Sequence, residues 1–243
     1  MKNLLKDQVK KNYDMQEDFD NYKCDKCRDM TFIIDDNVAI PCECREIRQA
    51  ELILKQSGIS DEFRNKTFDN FDYSVNKEIL SAYIISKTYA NKFEEIKNNK
   101  NNSIILMGNS GCGKTHLSLS IANSLMDRGI GILYMSYRES IVAIKQCVMD
   151  SENYNKTMNK YKNAKVLLID DLFKGSITPS DINIIFEIIN YRYFNNKPMI
   201  ISTEKFSNNL LDIDEAIGSR ILEMCKDFSI ELKGKHLNYR IYS

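Results

Sequence analysis

The stretch Gly108-Asn109-Ser110-Gly111-Cys112-Gly113-Lys114-Thr115 decides how this chain folds, because it has the spacing G-x-x-x-x-G-K-[ST] of a phosphate-binding loop. An apolar run, Ser103 to Met107, precedes it. Apolar residues at helical spacing follow from Thr115 to Arg128, where Gly129 ends the pattern. A loop between a strand and a helix turns backbone N–H groups and the positive end of the helix dipole toward one point. The pattern therefore predicts a polyphosphate site.

The residues from Gly108 to His116 are expected to contact the nucleotide. Lys114 would reach the β and γ phosphates, and Thr115 would hold magnesium. The alternative is a chance match in a turn that contains glycine. The chain has only nine glycines in 243 residues, yet three of them fall within this loop. Such clustering indicates a backbone that must approach a ligand closely.

A second motif stands at the end of the segment Lys165 to Leu172, where four apolar residues run into Asp170 and Asp171. This is the pattern of a buried parallel strand that ends in acid. We expect Asp170 to hold the water shell of magnesium and Asp171 to orient or activate the attacking water. The alternative is a strand that ends in a solvated turn. The phosphate loop upstream favours the nucleotide site.

The remaining segments alternate between strands and helices. Strands are predicted at 131–136, 198–203 and 228–232, and helices at 79–96, 181–193, where Thr178-Pro179-Ser180 forms the cap and first turn, and 213–226. This alternation predicts an α/β fold with a parallel sheet, right-handed crossovers and a ligand at the carboxyl ends of the strands. Ser202 and Thr203 end the fourth strand, so a hydroxyl group there would face the γ-phosphate.

Four of the seven cysteines lie close together in the sequence, as Cys24-x-x-Cys27 and Cys42-x-Cys44. Between the pairs, Met30 to Ile34 and Val38 to Ile40 flank Asp35-Asp36-Asn37 in the manner of a β-hairpin. Two cysteine pairs on a hairpin predict a zinc ribbon, because zinc takes four soft ligands in a tetrahedron. The alternative is free thiols in a small hydrophobic cluster.

Composition and the residues that end each predicted segment indicate the domain organisation. We expect an amino-terminal zinc-binding domain over 1–57, a linker over 58–76 and an ATPase domain over 77–243. The first domain would contain a helix from Arg45 to Gln56, and residues 1–22 would form a weak amphipathic helix or an arm that orders on a partner. The sequence shows neither a signal peptide nor an apolar run of the ~20 residues that span a membrane, which predicts a cytoplasmic protein. The formal net charge is zero, so tight duplex binding by the monomer is not indicated.

The order of these motifs resembles the AAA+ ATPases, and within them the bacterial and phage helicase loaders of the DnaC type and their IstB-type transposition relatives. The resemblance covers nearly the whole chain. It is carried by the cysteine pairs, the phosphate loop, the strand end at Asp170 and the following short segments: Thr67 to Phe71, Ile201-Ser202-Thr203, Gly218-Ser219-Arg220 and Asn238-Tyr239-Arg240.

The resemblance implies roles for residues that spacing alone leaves open. Thr203 would be the sensor-one residue, Arg220 an arginine finger acting on the ATP of a neighbouring subunit, and Arg240 a family-typical arginine near the C-terminus. The segment from Tyr137 to about Tyr161 would line a path for single-stranded DNA. The implied protein is a homo-oligomer that uses ATP, Mg²⁺ and Zn²⁺ and binds the replicative helicase and single-stranded DNA during initiation of replication.

Two departures from the family pattern predict slow hydrolysis, and the resemblance implies that hydrolysis depends on DNA and assembly. Many AAA+ enzymes carry Asp-Glu where this chain has Asp170-Asp171, and Asn where it has Ser202-Thr203-Glu204. A switch operated by nucleotide therefore fits better than a powerful motor.

One alternative function is an IstB-like transposition accessory acting on duplex DNA. A second is a small-molecule kinase, which the scarcity of basic residues after Asp171 disfavours, because a kinase needs a basic lid.

Overall fold

The computed structural model describes residues 22–35, 38–56, 64–74, 76–234 and 237–242. The chain forms two compact units, Met1–Arg45 and Glu46–Ser243. The predictions for the arm over 1–21, for Asp36 and Asn37 and for the side chain of Arg240 lie outside the described residues. The domain limits given above stay a prediction.

The first unit contains the predicted hairpin. Strands β1 (Phe32–Asp35) and β2 (Val38–Pro41) pair antiparallel, with Ile33 opposite Ile40. Helix α1 (Cys44–Gln56) follows along the chain, one residue earlier than predicted. Cysteines thus lie on both sides of the hairpin, as a zinc ribbon requires.

The second unit is built on a parallel sheet, as the alternating pattern predicted. Its strands lie in the order β4-β5-β6-β3-β7. Their bounds are β3 Ile104–Gly108, β4 Ile132–Ser136, β5 Val166–Leu172, β6 Met199–Thr203 and β7 Ser229–Leu232. Strand β3, the first of these along the chain, is therefore internal. The chain then crosses to β4 at the sheet edge, returns through β5 and β6, and ends with β7 on the other side of β3. Such a reversal of strand order leaves a crevice at the carboxyl ends of the strands, where ligands bind.

Helices cover both faces of this sheet. They are α2 Lys77–Ile96, α3 Lys114–Met126, α4 Tyr137–Gln146, α5 Ser151–Asn163, α6 Pro179–Phe194, α7 Ser207–Ile213, α8 Glu215–Met224 and α9 Tyr239–Tyr242. Alternate residues of β3 enter different core clusters. Ile104 and Leu106 pack in the cluster that contains α2 and α3, whereas Ile105 and Met107 pack in the cluster that contains α6 and α8. Burial on both faces explains why the strand is apolar throughout.

The structure differs from the sequence predictions in three places. Helices α4 and α5 occupy the segment for which no secondary structure was predicted, and α7 precedes the last predicted helix. Only Met158 and Tyr161 of α5 are buried, so its apolar periodicity is weak. Within the predicted linker, Phe68 and Phe71 are buried in the core cluster with α2 and α3. The predicted cap of α6 is confirmed, with a reciprocal capping box between Thr178 and Asp181.

In the part of the chain that the structure describes, no helix has the length and apolar character needed to cross a membrane.

Candidate functional site

The predicted phosphate loop lies between the carboxyl end of β3 and the first turn of α3. Gly111 and Gly113 have φ angles of 81° and 86°, in the left-handed region that side chains disfavour. A Cβ atom added at Gly113 would lie 2.8 Å from the ring of Phe71, and one at Gly111 would lie 2.1 Å from the amide oxygen of Asn238. Glycine is thus required at both positions by conformation and by close packing.

A cavity of about 540 Å³ opens over this loop. It is lined by loop residues, by the acidic ends of the strands and by the segment from Lys66 to Asp72. Ligand pockets for molecules the size of a nucleotide have volumes of ~300 to 1,000 Å³. The Nζ atom of Lys114 donates to the carbonyl oxygen of Asn109 at 2.8 Å, which holds the ammonium group at the loop. The cavity therefore has the size for a nucleotide, and Lys114 places a positive charge at the loop where its phosphates would bind.

Asp170 and Thr115 lie together on the cavity wall, as expected for a magnesium site. The hydroxyl group of Thr115 donates to Oδ1 of Asp170 at 3.0 Å, and the hydroxyl group of Tyr134 donates to Oδ2 at 3.1 Å. Ser202 also donates to Oδ1. Burial raises the pKa of Asp170 above its ordinary value, against the effect of these hydrogen bonds. Thr115 and Asp170 offer the oxygen ligands that Mg²⁺ prefers.

Asp171 lies where strand β5 leaves regular pairing. The register of β5 against β6 shifts between Ile169 and Leu172, and Asp171 has a φ angle of 57°. Irregular strands next to active sites commonly re-aim a side chain. Here the backbone N–H of Asp171 donates to the hydroxyl group of Ser202 at 2.9 Å. The carboxylate accepts a hydrogen bond from Nζ of Lys174 at 2.7 Å.

The two hydroxyl groups at the end of β6 are both engaged within the protein. Thr203 is fully buried; its hydroxyl group donates to the carbonyl oxygen of Leu172 at 2.7 Å and accepts from the backbone N–H of Lys205 at 3.0 Å. Ser202 is the residue that contacts Asp170. The sensor-one role of Thr203 stays a prediction, and the structure places Ser202 nearer to the acidic pair.

The opposite wall of the cavity includes aromatic residues whose contribution the sequence analysis missed. Phe71 and Tyr239 line it together with His116, a predicted nucleotide contact. The phenol of Tyr239 donates to the carbonyl oxygen of Asp72 at 2.6 Å, and its backbone N–H donates to the carbonyl oxygen of Gly111 at 3.1 Å. Phe71 and Tyr239 lie inside two of the short motifs quoted above, which is the one signal that could have identified them. They close one side of the cavity.

His116 joins α3 to this wall. Its Nε2 atom lies 3.0 Å from the carbonyl oxygen of Thr67 and 2.9 Å from the side-chain oxygen of Asn70. Burial lowers the pKa of His116, and the two oxygen acceptors at Nε2 indicate that this atom carries a proton. The ring thus fastens the segment before α2 to the phosphate loop.

Arg220 is not among the described residues that line this cavity. It lies on α8, where its guanidinium group donates to the carbonyl oxygen of Ala216 at 2.7 Å. The same group lies 5.5 Å from the ring centroids of Phe186 and Tyr193. The structure therefore does not bring Arg220 together with the other predicted catalytic residues of its own chain.

The four predicted zinc ligands form one cluster in the first unit. The Sγ atoms of Cys24, Cys27, Cys42 and Cys44 all lie within 4.8 Å of one another. Two of these separations are 3.8 Å, between Cys24 and Cys42, and 3.4 Å, between Cys27 and Cys44. Zn–S bonds of ~2.3 Å in a tetrahedron place the sulfur atoms ~3.8 Å apart. The donor set and its spacing fit zinc.

Proton affinity differs within the cysteine cluster. The backbone N–H of Cys27 lowers the pKa of Cys24 to about 7, whereas desolvation raises the pKa of Cys44 to about 12. A metal ion must therefore displace protons from the cluster when it binds.

The family of the chain follows from comparison with known proteins. The family model described as IstB-like ATP binding protein matches residues 13–240. The phage-like element PBSX protein XkdC of Bacillus subtilis is 34% identical over 239 residues, which cover 93% of this chain and 89% of XkdC.

Two solved structures have the same fold. The crystal structure of the DnaC helicase loader superposes with a TM-score of 0.57 at 23% identity, over 71% of this chain and 99% of the other. The replication initiator DnaA bound to AMPPCP and single-stranded DNA gives a TM-score of 0.58 at 24% identity, over 71% of this chain and 51% of the other. The parallel sheet is thus that of the AAA+ phosphate-loop proteins, and the chain belongs to the IstB-like ATP-binding protein family.

Proposed function

We propose that this protein is an ATP-dependent helicase loader, in which nucleotide binding in the cavity acts as a switch. The observation that carries the proposal is the arrangement of Lys114, Thr115 and Asp170 around one cavity at the carboxyl end of the sheet. The family is an ATP-binding family, and its fold is that of the DnaC helicase loader. Lys114 would bind the β and γ phosphates, and Thr115 and Asp170 would hold Mg²⁺, which screens phosphate charge during hydrolysis.

Asp171 would orient the attacking water, and its side chain, which is shorter than the glutamate of many AAA+ enzymes, supports slow hydrolysis. One oxygen of its carboxylate accepts a hydrogen bond from Nζ of Lys174 before nucleotide binds. Arg220 would act from a neighbouring subunit, since it does not line its own cavity.

Replacing Asp171 by asparagine is expected to lower the rate of ATP hydrolysis about a hundredfold, the lower range for loss of a general base. ATP affinity should stay within about threefold of wild type, because Asp170 and Lys114 are retained. Turnover and calorimetric titration measure the two quantities. Asp212→Asn is the matched control, an exposed carboxylate outside the cavity. Equal turnover in Asp171→Asn and wild type would refute the assigned role.

One zinc ion per chain is expected, bound by the four clustered cysteines. Cys42→Ser should lose zinc, because a hydroxyl group is a poor replacement for a buried thiolate. Metal analysis of the purified proteins measures the content. Cys147→Ser is the control, since Cys147 lies outside the cluster. A Cys42→Ser protein with full zinc content would overturn the assignment.

The first unit would bind the replicative helicase. Its hairpin exposes apolar side chains that a monomer normally buries: Ile34 is 73% exposed and Val38 is 61% exposed. Exposed apolar patches mark protein interaction sites. Retention of purified replicative helicase by the wild type, and its loss in an Ile34→Asp, Val38→Asp double variant that keeps zinc, would support the assignment. Equal retention by both would contradict it.

The helices α4 and α5 would face single-stranded DNA. Lys156 and Lys160 are exposed on α5 and supply positive charge for phosphates. A transposition accessory that acts on duplex DNA is the second candidate, which the IstB-like family match supports. Fluorescence anisotropy with single-stranded and duplex oligonucleotides in the presence of AMPPCP discriminates the two. Preference for the single strand supports the loader, and preference for the duplex supports the transposition accessory.

A further inference from the structure

Lys174 is a cation of the cavity to which the sequence analysis assigned no role. Three lysines line the cavity, Lys66, Lys114 and Lys174. Lys114 belongs to the phosphate loop, and Lys66 precedes the segment that contacts His116. Lys174 alone of these three forms ion pairs with the acidic groups on the cavity wall. Its Nζ atom lies 2.7 Å from Oδ2 of Asp171 and 3.6 Å from Oε1 of Glu204.

The backbone after β5 places Lys174 there. Asp171 and Phe173 have φ angles of 57° and 60°, and the backbone N–H of Lys174 donates to the carbonyl oxygen of Asp171 at 3.0 Å. This tight turn brings Lys174 back over the carboxylate of Asp171. Phe173 is fully buried and packs edge-on against Tyr137, with ring centroids 5.7 Å apart. The backbone at Lys174 is thus fixed, while the side chain of Lys174 is 38% exposed.

The two carboxylates around Lys174 pair with its ammonium group at unequal distances. One ammonium group serves two carboxylates, and its distance to Glu204 is long for an ion pair. Both carboxylates are about one-third exposed, at 30% for Asp171 and 32% for Glu204, so water can replace the ammonium group. A terminal phosphate carries more negative charge than a carboxylate and offers three acceptor oxygens. It is therefore a stronger competitor for Lys174 than either carboxylate is.

The hydroxyl groups next to Lys174 are already engaged. Thr203 donates to Leu172, and Ser202 donates to Asp170. Lys174, by contrast, pairs only with carboxylates that are about one-third exposed, so water can replace it at both.

We propose that Lys174 is the residue by which the cavity distinguishes a nucleoside triphosphate from a diphosphate. Its ammonium group moves from Asp171 and Glu204 to the terminal phosphate when a triphosphate binds. This inference rests on the proposed function, because the nucleotide must enter the cavity with its phosphates on the loop from Gly108 to Thr115. A diphosphate has no group at that position and leaves the ion pairs with both carboxylates in place.

The test is calorimetric titration of wild type and Lys174→Met with AMPPCP and with ADP. The Kd for AMPPCP is expected to rise about tenfold in Lys174→Met, the loss of one charge-assisted hydrogen bond. The Kd for ADP should change less than about twofold. Lys174→Arg should restore the preference for the triphosphate. Lys205→Met is the matched control, because Lys205 is near Glu204 in sequence but does not line the cavity.

Glu204→Gln is expected to change the affinity for AMPPCP in the opposite direction. Loss of one carboxylate partner frees Lys174, so the affinity for AMPPCP is expected to rise while that for ADP stays unchanged. The rise should disappear when Glu204→Gln is combined with Lys174→Met, because the simple loss of a negative charge would act without Lys174. If Lys174→Met is unstable, Lys174→Gln removes the charge and keeps a polar side chain that is one atom shorter.

The outcomes separate the two proposals. An unchanged ratio of the two affinities in Lys174→Met and Lys174→Gln, or an equal loss for both nucleotides, would overturn the role of Lys174 and leave the nucleotide site intact. If the wild type binds neither AMPPCP nor ADP, the proposed function is wrong, and this inference is wrong with it.

Discussion

Replacing Lys114 by alanine is expected to raise the Kd for ATP about a thousandfold, because two charge-assisted hydrogen bonds to phosphate are lost, worth about 4 kcal/mol together. Lys114 is buried in the loop, with a relative exposure of 5%. The loop itself should keep its shape. The thiol of Cys112 also donates to the carbonyl oxygen of Asn109, at 2.9 Å, so that carbonyl retains a donor when Lys114 is removed.

Calorimetric titration with ATP measures the affinity, and a thermal unfolding midpoint close to that of wild type shows that the fold is intact. Lys205→Ala is the control for removal of a positive charge outside the cavity. An unchanged ATP affinity in folded Lys114→Ala protein would mean that the nucleotide does not bind on this loop.

Replacing Arg220 by alanine is expected to lower DNA-stimulated ATP hydrolysis about a thousandfold, the lower range for loss of an arginine finger. A guanidinium group is always charged, and its planar fork meets two phosphate oxygens at once. ATP affinity should stay close to that of wild type, because Arg220 does not line the cavity of its own chain. Turnover at increasing protein concentration measures the dependence on assembly. Ser219→Ala, on the same exposed turn of α8, is the control.

Mixing variants tests whether Arg220 acts on a neighbouring subunit. Lys114→Ala subunits lack a working phosphate loop but keep Arg220, so they should restore part of the activity of Arg220→Ala subunits. The contacts of Arg220 with Phe186 and Tyr193 offer the alternative that it only stabilises the surface of α6 and α8. If mixed assemblies form and no activity returns, that alternative is the correct one.

The sequence by itself determined the sheet, the phosphate loop and the cysteine cluster. These features depend on local pattern. The run before Gly108 is apolar because both faces of β3 are buried, and glycine spacing in the loop reflects backbone angles at Gly111 and Gly113. The cysteine pairs meet because a short hairpin joins them, and their sulfur atoms lie within 4.8 Å of one another.

One of the helices that the sequence analysis missed, α5, has a physical explanation. A helix such as α5, with only Met158 and Tyr161 buried, carries too few apolar residues for periodicity to identify it. Its position depends on contacts with distant elements. Arg192 of α6, for example, is fully buried and donates to the carbonyl oxygens of Tyr161 and Ala164 at the end of α5.

Only the tertiary structure decided which polar groups contact Asp170. The spacing at the end of β6 leaves Ser202 and Thr203 equivalent, but the irregular pairing of β5 with β6 engages Thr203 with Leu172 and leaves Ser202 on Asp170. The same irregularity carries Lys174 back onto Asp171. Side-chain direction at a strand end depends on backbone angles that the neighbouring strand imposes, and residue order alone does not specify them.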